Sequence, residues 1–565
     1  MTHPDLVGLA EGILAGRRDL FEETTRRFPV PGGVVTVADV SGVVAEVAFG
    51  HADPARRVPM DSSLLFEIGS ISKLFTSLVV NRLVDEGRLR LDETVSDVVP
   101  WVTLGEASAT VTVGQLLNHT SGLCVGADTL ADDAGEIFQS RECRRATGPA
   151  RFHYSNLGYL VLGEMVRARS GRRLSELVAR DWLAPLRMTH ALAEVSQADR
   201  ARLAVGSWPA RPDQPWAPGD ALGAAPFFEI DSASGNIAAR GSDIAALMAA
   251  LLGASRYEPV RDEHGAEVLS HATFARITTH LAPSGEPTYT VSGIDPVEES
   301  RYGMGINVER VGGHLCVSHG GGMVGYSTFM LVDCDAGVGV SVLTNANGDT
   351  LASHIVARII HDDLVHHLDG RGATDVSARA LSVNLAPERT GTFASSTSGA
   401  RLDVRADAEG TRVIADGQVG DLHLVAHGRP VTSHPTLRRF HLDWYDGADG
   451  EGWAFGGETY LRDAPQVALD GPSHDALALV GHYRSFSPWF PEFRIITRGP
   501  RLLLVAPGGV EAPGEEVLLV ALAHDEYRVG EDPWLPERLR VHGRRDGEVV
   551  SVERDGCVYS RVFSA

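Results

Sequence analysis

The octapeptide FEIGSISK, residues 66–73, decides how the rest of the chain is read. Beyond it, Leu74, Leu78, Val79 and Leu83 predict a helix from Ser70 to about Gly87 with one buried stripe. Ser70 then stands at the mouth of that helix and Lys73 one turn further on. Positions i and i+3 share a helix face, so the amine reaches the hydroxyl. A serine hydroxyl is a weak nucleophile until a neighbouring base takes its proton, and a lysine desolvated by the core is neutral enough to do so. The partial positive charge of the helix amino terminus favours the anionic character that develops on Ser70.

Composition singles out the same lysine. The chain has 51 basic residues, and every one except Lys73 is an arginine. Surface charge tolerates that exchange. A position that must lose and regain a proton does not, because guanidinium stays protonated. At 565 residues, with 43% hydrophobic and 22% charged residues, the chain reads as a globular protein of two to four domains. A net charge of −23 with no Lys/Arg cluster argues against nucleic-acid and membrane-surface partners. The amino terminus is broken by charge and lacks an apolar run of signal-peptide length, so a cytoplasmic location is expected. Cys124, Cys143, Cys316, Cys334 and Cys557 are scattered, with neither metal-ligand spacing nor a disulfide framework.

Outward from the octapeptide, residues 5–27 carry helical spacing and end at a Pro-Gly-Gly break, residues 31–33. VVTVADV and VVAEVAFG flank Ser41-Gly42 as a hairpin. Helices are expected over 113–118, 156–170 and 174–186 and from near Ser242, with strands over 302–309, 314–318, 325–333 and 337–345. The segment HHLDGRGATDVSARA changes character, marking a linker over 371–385 that closes a first domain of residues 1–370. TGTFAS at 390–395 and VGHYRS at 480–485 each precede short strand-like runs. They suggest two related antiparallel β modules, 386–475 and 476–565.

Two further motifs follow in order. YSN, residues 154–156, begins a helix after an aromatic strand, and HGGG, residues 319–322, lies between two strand-like runs. Ser-x-x-Lys, Tyr-x-Asn and His-x-Gly in this order resemble the class C β-lactamase, DD-peptidase and family S12 serine hydrolase group. QLLNHTSGL (115–123), NLGYLVLGEMV (156–166), LAPLRMTH (183–190), YGMGINV (302–308) and GGMVGYSTFMLVDCDAGVGVSVLTN (321–345) resemble its connecting sequences. The resemblance covers roughly residues 30–365.

That resemblance implies an α/β (α+β) catalytic domain, an antiparallel sheet flanked by helices, followed by antiparallel, lipocalin-like β-barrel modules. It implies that Ser70 is acylated, that Lys73 holds or accepts its proton, and that Tyr154 shares the proton work. Asn156 would bond Lys73 or the substrate amide. The N–H groups of Ser70 and Gly322 would form the oxyanion hole, with Gly321 allowing the strand's close approach. His319 stands where many β-lactamases carry lysine; it would donate to a substrate oxygen or to Tyr154 with less fixed charge, which suits peptidases, esterases and acyl transferases. No metal or cofactor is called for. The expected partner is a small-molecule or peptide substrate, and the oligomeric state stays open. A peptidase or esterase for small or D-residue-containing substrates leads. A cytoplasmic acyl transferase or peptide cyclase and a non-turning-over penicillin-binding sensor are the alternatives. His119, Ser121 and His190 read as structural, and the aromatics of SFSPWFPEF (485–493) as barrel packing.

Overall fold

The computed structural model describes the chain except residues 1–2, 105–108, 127–133, 136, 138–145, 147, 347–350, 373–380, 382, 396, 426–427, 448–449, 463–471, 507, 509–513 and 563–565. Cys143 and much of the expected linker lie outside the described residues.

The principal helices are α1 (His3–Gly16), α2 (Arg18–Arg27), α3 (Ser72–Asp85), α4 (Asn156–Ser170), α5 (Gly241–Ser255) and α6 (Leu351–Leu368). The central sheet consists of β1 (Gly32–Asp39), β2 (Gly42–Asp53), β3 (Val58–Pro59), β4 (Val297–Tyr302), β5 (Asn307–Val311), β6 (His314–Met323), β7 (Tyr326–Asp333) and β8 (Val338–Thr344). Its order is β3-β2-β1-β8-β7-β6-β5-β4, and every pairing is antiparallel. The strands that meet in the middle of the sheet, β1 and β8, come from opposite ends of the first domain, with Val35 opposite Val342.

Alternation along β1 explains the layering. Val35 and Val37 point into a core shared with Ala10 and Leu14 of α1 and Ile355 and Ile359 of α6. Val34 and Ala38 point into the opposite core with Leu247 and Leu251 of α5. β7 and β8 are buried at every position, including Ser327, Thr328, Asp333 and Ser341. Each fully buried aliphatic side chain contributes about 1.5–3 kcal/mol of transfer free energy.

Several element boundaries differ from the sequence reading. The first helical run divides into α1 and α2. Residues 174–186 form a short helix, Leu174–Val178, followed by a π-helical turn, Ala179–Leu183. No strand forms over Phe152–Tyr154, where the backbone bonds sideways, His153 N–H to the His119 carbonyl at 2.8 Å. The expected strand over 302–309 is interrupted because residues 303–306 turn onto the helical layer, Met304 N–H donating to Ile277 O and Ser77 Oγ to Met304 O. HGGG does not separate two strands. It continues β6, whose ladder with β7 runs from Cys316–Asp333 to Met323–Tyr326.

TGTFAS and VGHYRS each open an eight-stranded antiparallel unit. The first begins at Gly391–Ser395 and has Phe393, Leu402, Val413 and Trp453 in its core. The second begins at Gly481–Arg484 and closes into a barrel around Tyr483, Phe493, Leu504 and Tyr559. The aromatic stretch between its first two strands splits three ways. Phe490 and Phe493 pack inside the barrel, Trp489 joins the core between the central sheet and α5, and Phe486 is exposed. Among the described residues no helix is long and apolar enough to cross a membrane.

Candidate active site

The helix start is shaped before any reactive group is placed. Gly69 adopts φ +51° and opens a single 3-10 turn, Gly69–Ile71, that leads into α3. A side chain there would strike the backbone of Gly322, with a Cβ 2.5 Å from its carbonyl oxygen. Across the gap, a Cβ on Gly321 would sit 1.9 Å from the Ile68 carbonyl oxygen. The Thr328 hydroxyl secures this contact, 3.0 Å from Ile68 O and 3.1 Å from Gly321 O. Two side-chain-free positions thus let the β6 edge press against the backbone that immediately precedes Ser70.

Lys73 is fully buried, and its Nζ donates to Ser70 Oγ at 2.8 Å and to the Ser234 carbonyl at 2.9 Å. Ser234 belongs to a small-residue segment that packs over the helix start. There Thr76 Oγ1 donates to Ala233 O at 2.7 Å, and Ile237 N–H to Ser72 Oγ at 3.2 Å. The sequence reading missed this segment; its only signal was the run SASG at 232–235.

The Tyr154 ring lies beside the amine, its centroid 5.0 Å from Lys73 Nζ. Ser155 caps α4 by accepting from Gly158 N–H at 3.1 Å, and Asn156, buried, starts the helix with its own N–H on Val125 O at 2.8 Å. Beneath Tyr154 is His119, ring centroids 4.4 Å apart. His119 sits at φ +56° and accepts from Ser155 N–H through Nδ1 at 3.1 Å, an arrangement that fixes the loop behind the site. Burial holds the His119 imidazole well below its ordinary pKa.

His319 is placed differently from expectation. It is fully buried, and its ring nitrogens meet the Gly320 carbonyl and the Tyr302 hydroxyl. Its Nδ1 lies 2.5 Å from the Gly320 carbonyl, which puts the ring proton there. Its Nε2 therefore accepts from the Tyr302 hydroxyl, at 2.8 Å. Burial outweighs the raising influence of Glu286 and the Gly320 contact and lowers the His319 pKa. The physical reason for the altered role is β6 itself: its buried face is filled by a tyrosine that the sequence reading did not single out. Tyr302 stands edge-on to Tyr154, centroids 6.4 Å apart, and so connects His319 to the site through rings.

Spatial proximity also creates two clusters of potential ligands that spacing did not reveal. Cys316, Asp333 and His361 form one, and Asp295, Asp362 and His366 the other, their donor atoms within 4.8 Å of one another in each. Protein partners meet Asp333, which accepts from His314 at 2.8 Å and His361 at 3.0 Å. Asp295 is paired with Arg371 at 2.9 Å.

The family model described as Beta-lactamase matches residues 18–363, well over half of the chain. Penicillin-binding protein 4 of Amycolatopsis lactamdurans is 29% identical over 197 residues, 33% of this chain and 51% of that protein. Protein flp of Staphylococcus aureus (strain NCTC 8325 / PS 47) is 27% identical over 182 residues, 30% of this chain and 36% of that protein. The matches thus span about half of one curated relative and about a third of the other. Among solved structures, the octameric penicillin-binding protein homologue of Pyrococcus abyssi superposes with a TM-score of 0.52 at 20% identity, covering 80% of this chain and 99% of that one. The D-amino acid amidase of Ochrobactrum anthropi SV3, complexed with L-phenylalanine, gives 0.50 at 19% identity, over 64% and 99%. The structural likenesses establish the fold, and the family match over residues 18–363 places the chain in the beta-lactamase family.

Proposed function

We propose that the chain is a serine hydrolase that forms an acyl-enzyme at Ser70 from a small amide or ester. The observation that carries this reading is the 2.8 Å bond between Ser70 Oγ and the buried amine of the chain's single lysine. Ser70 Oγ attacks the carbonyl carbon while its proton passes to Lys73, in its neutral form. The oxyanion accepts from the N–H groups of Ser70 and Gly322, brought together by the Gly69–Gly322 contact; each such donor is worth about 3–4 kcal/mol in the transition state. As the carbon–nitrogen or carbon–oxygen bond breaks, Tyr154 delivers a proton to the leaving group and recovers it from Lys73. Water then attacks the ester carbonyl and loses a proton to the same pair; the bond between the carbonyl carbon and Ser70 Oγ breaks, Oγ takes up that proton, and the acid leaves.

The neutral, buried imidazole of His319 supplies no fixed charge on the strand wall. That favours substrates recognised by shape and backbone hydrogen bonds over those anchored by a carboxylate, and so the peptidase and esterase reading over efficient β-lactam turnover. The amidase whose fold this chain shares acts, by its name, on D-amino acid amides, which makes those amides and short acyl esters the first compounds to assay.

The test is intact-protein mass spectrometry after incubation with a β-lactam or a fluorophosphonate. A single adduct on Ser70 is expected, absent in Ser70→Ala. Lys73→Arg, which keeps the charge but cannot accept a proton, should slow its formation by about 10²–10⁴-fold. Labelling elsewhere, or a Lys73→Arg rate equal to that of the parent, would sink the mechanism.

A further inference from the structure

The last barrel does more than follow the catalytic domain: it reaches the segment that carries Tyr154. Residues 149–155 have no regular structure of their own. On one side they hang on the 119–125 loop, through His153 N–H to His119 O at 2.8 Å and Asn156 N–H to Val125 O at 2.8 Å. On the other side stands the connection between the barrel strands Glu526–Val529 and Arg538–Arg545. Trp534 donates from Nε1 to Pro149 O at 3.3 Å and meets the His153 ring edge-on, with centroids 5.6 Å apart. Arg151 pairs with Asp532 at 2.7 Å.

The decisive contact is Glu537. One of its oxygens, Oε1, accepts from His153 Nε2 at 2.6 Å and from the backbone N–H of Val125 at 3.3 Å. This single atom therefore ties the segment that carries Tyr154 to the 119–125 loop behind it. The pair is buried, with side-chain exposures of 8% for Glu537 and 15% for His153. Burial alone would raise the Glu537 pKa, but the hydrogen bond and charge of His153 outweigh it and keep the group below its ordinary value. Taking a carboxylate out of water costs several kcal/mol, which only well-made partners offset. Its two hydrogen-bond donors, His153 and Val125, lie in the catalytic domain, and Arg554 of its own barrel adds a favourable charge.

We propose that Glu537 is a positioning residue for acyl transfer, holding Tyr154 in register through His153 and Val125, so that the site is competent only with the last barrel docked. The inference rests on the proton-transfer role given to Tyr154 above. A displacement of about 1 Å in a catalytic group is enough to cost roughly 10²-fold in rate. Replacing Glu537 should act on the chemical step and leave substrate affinity in place.

The experiment uses the full chain and a fluorescent penicillin. The acylation rate constant and the non-covalent dissociation constant are taken from the concentration dependence and normalised to the sites labelled at saturation. Glu537→Ala is expected to acylate about 10- to 100-fold more slowly with affinity within about twofold. Glu537→Gln, whose amide oxygen accepts the same two hydrogen bonds, should stay within about threefold of the parent. His153→Ala should be slow as well, and the double variant His153→Ala/Glu537→Ala no slower than the single ones, because they break one link. A normalised Glu537→Ala rate equal to that of the parent would overturn the proposal. So would a Gln variant as slow as Ala, or strictly additive losses in the double variant. A parent chain labelled neither by the penicillin nor by a fluorophosphonate would strike the acyl-enzyme reading itself, an outcome distinct from each of these.

Discussion

The two walls of the site are built by opposite means. The helix wall, Ser70 and Lys73, consists of reactive side chains three residues apart on one turn, and its key distance of 2.8 Å follows from local geometry. The strand wall, from His319 to Gly322, works through what it lacks. Gly321 has no Cβ where one would lie 1.9 Å from Ile68 O, and His319 turns away from the cleft to a tyrosine 17 residues earlier. In the proposed mechanism the helix wall supplies chemistry, and the strand wall supplies closeness and polarity without a fixed charge. A site of this type therefore fails in two ways, by loss of a proton acceptor or by loss of contact between backbones.

The sharpest way to break the comparison is to damage the strand wall without touching a reactive group. Gly321→Ala adds one methyl group into a backbone carbonyl, so β6 must retreat from Ser70. Acylation of Ser70 should fall by about 10²–10³-fold, the effect of losing an oxyanion donor, while Lys73 and Tyr154 stay intact. Retained labelling rates would show that the two backbones do not need to touch.

A smaller effect is expected one layer further back. Tyr302→Phe removes the hydroxyl that His319 Nε2 accepts, leaving a buried acceptor unmet at a cost of about 1–3 kcal/mol. The melting midpoint should drop measurably, with acylation reduced by less than about tenfold. A larger kinetic than thermal effect would show that Tyr302 belongs to the working face of the site.

An effect on stability alone concerns Glu67, on the strand Phe66–Glu67 that leads toward Ser70 and pairs with Ala238–Ala239. Burial pushes its carboxyl up to about 8. A folded-state pKa above the unfolded value means that the stability it allows is complete below about 4.5 and is lost as pH rises toward 8. Glu67→Gln should therefore gain in melting temperature relative to the parent between pH 5 and pH 9. An unchanged difference across that range would show that the carboxyl is not held neutral.

Legibility followed the same division. The helix wall could be read from FEIGSISK and from the solitary lysine, since a helix fixes i,i+3 neighbours without help from the rest of the chain. The helix start at Ser155–Asn156 and the paired openings of the two β units were readable for a similar reason, being local caps and strand patterns. Tyr302 was on the page only as part of YGMGINV, with no spacing to connect it to His319. HGGG read as a gap between two strand-like runs because glycine weakens strand patterning, and in the fold it is part of a strand pressed against another backbone.

What the sequence determined by itself was the chemistry near one helix turn: a serine, a lysine that nothing else in the chain duplicates, and the order of the motifs that follow. Tertiary structure alone decided the rest of the site. It set Ser234 O on Lys73 across 161 residues, turned His319 toward Tyr302, and carried Glu537 to His153 across 384 residues. Such contacts depend on which surfaces the sheet, its helical layer and the last barrel bury against one another. Burial is a property of the whole packed chain, so no local spacing encodes it.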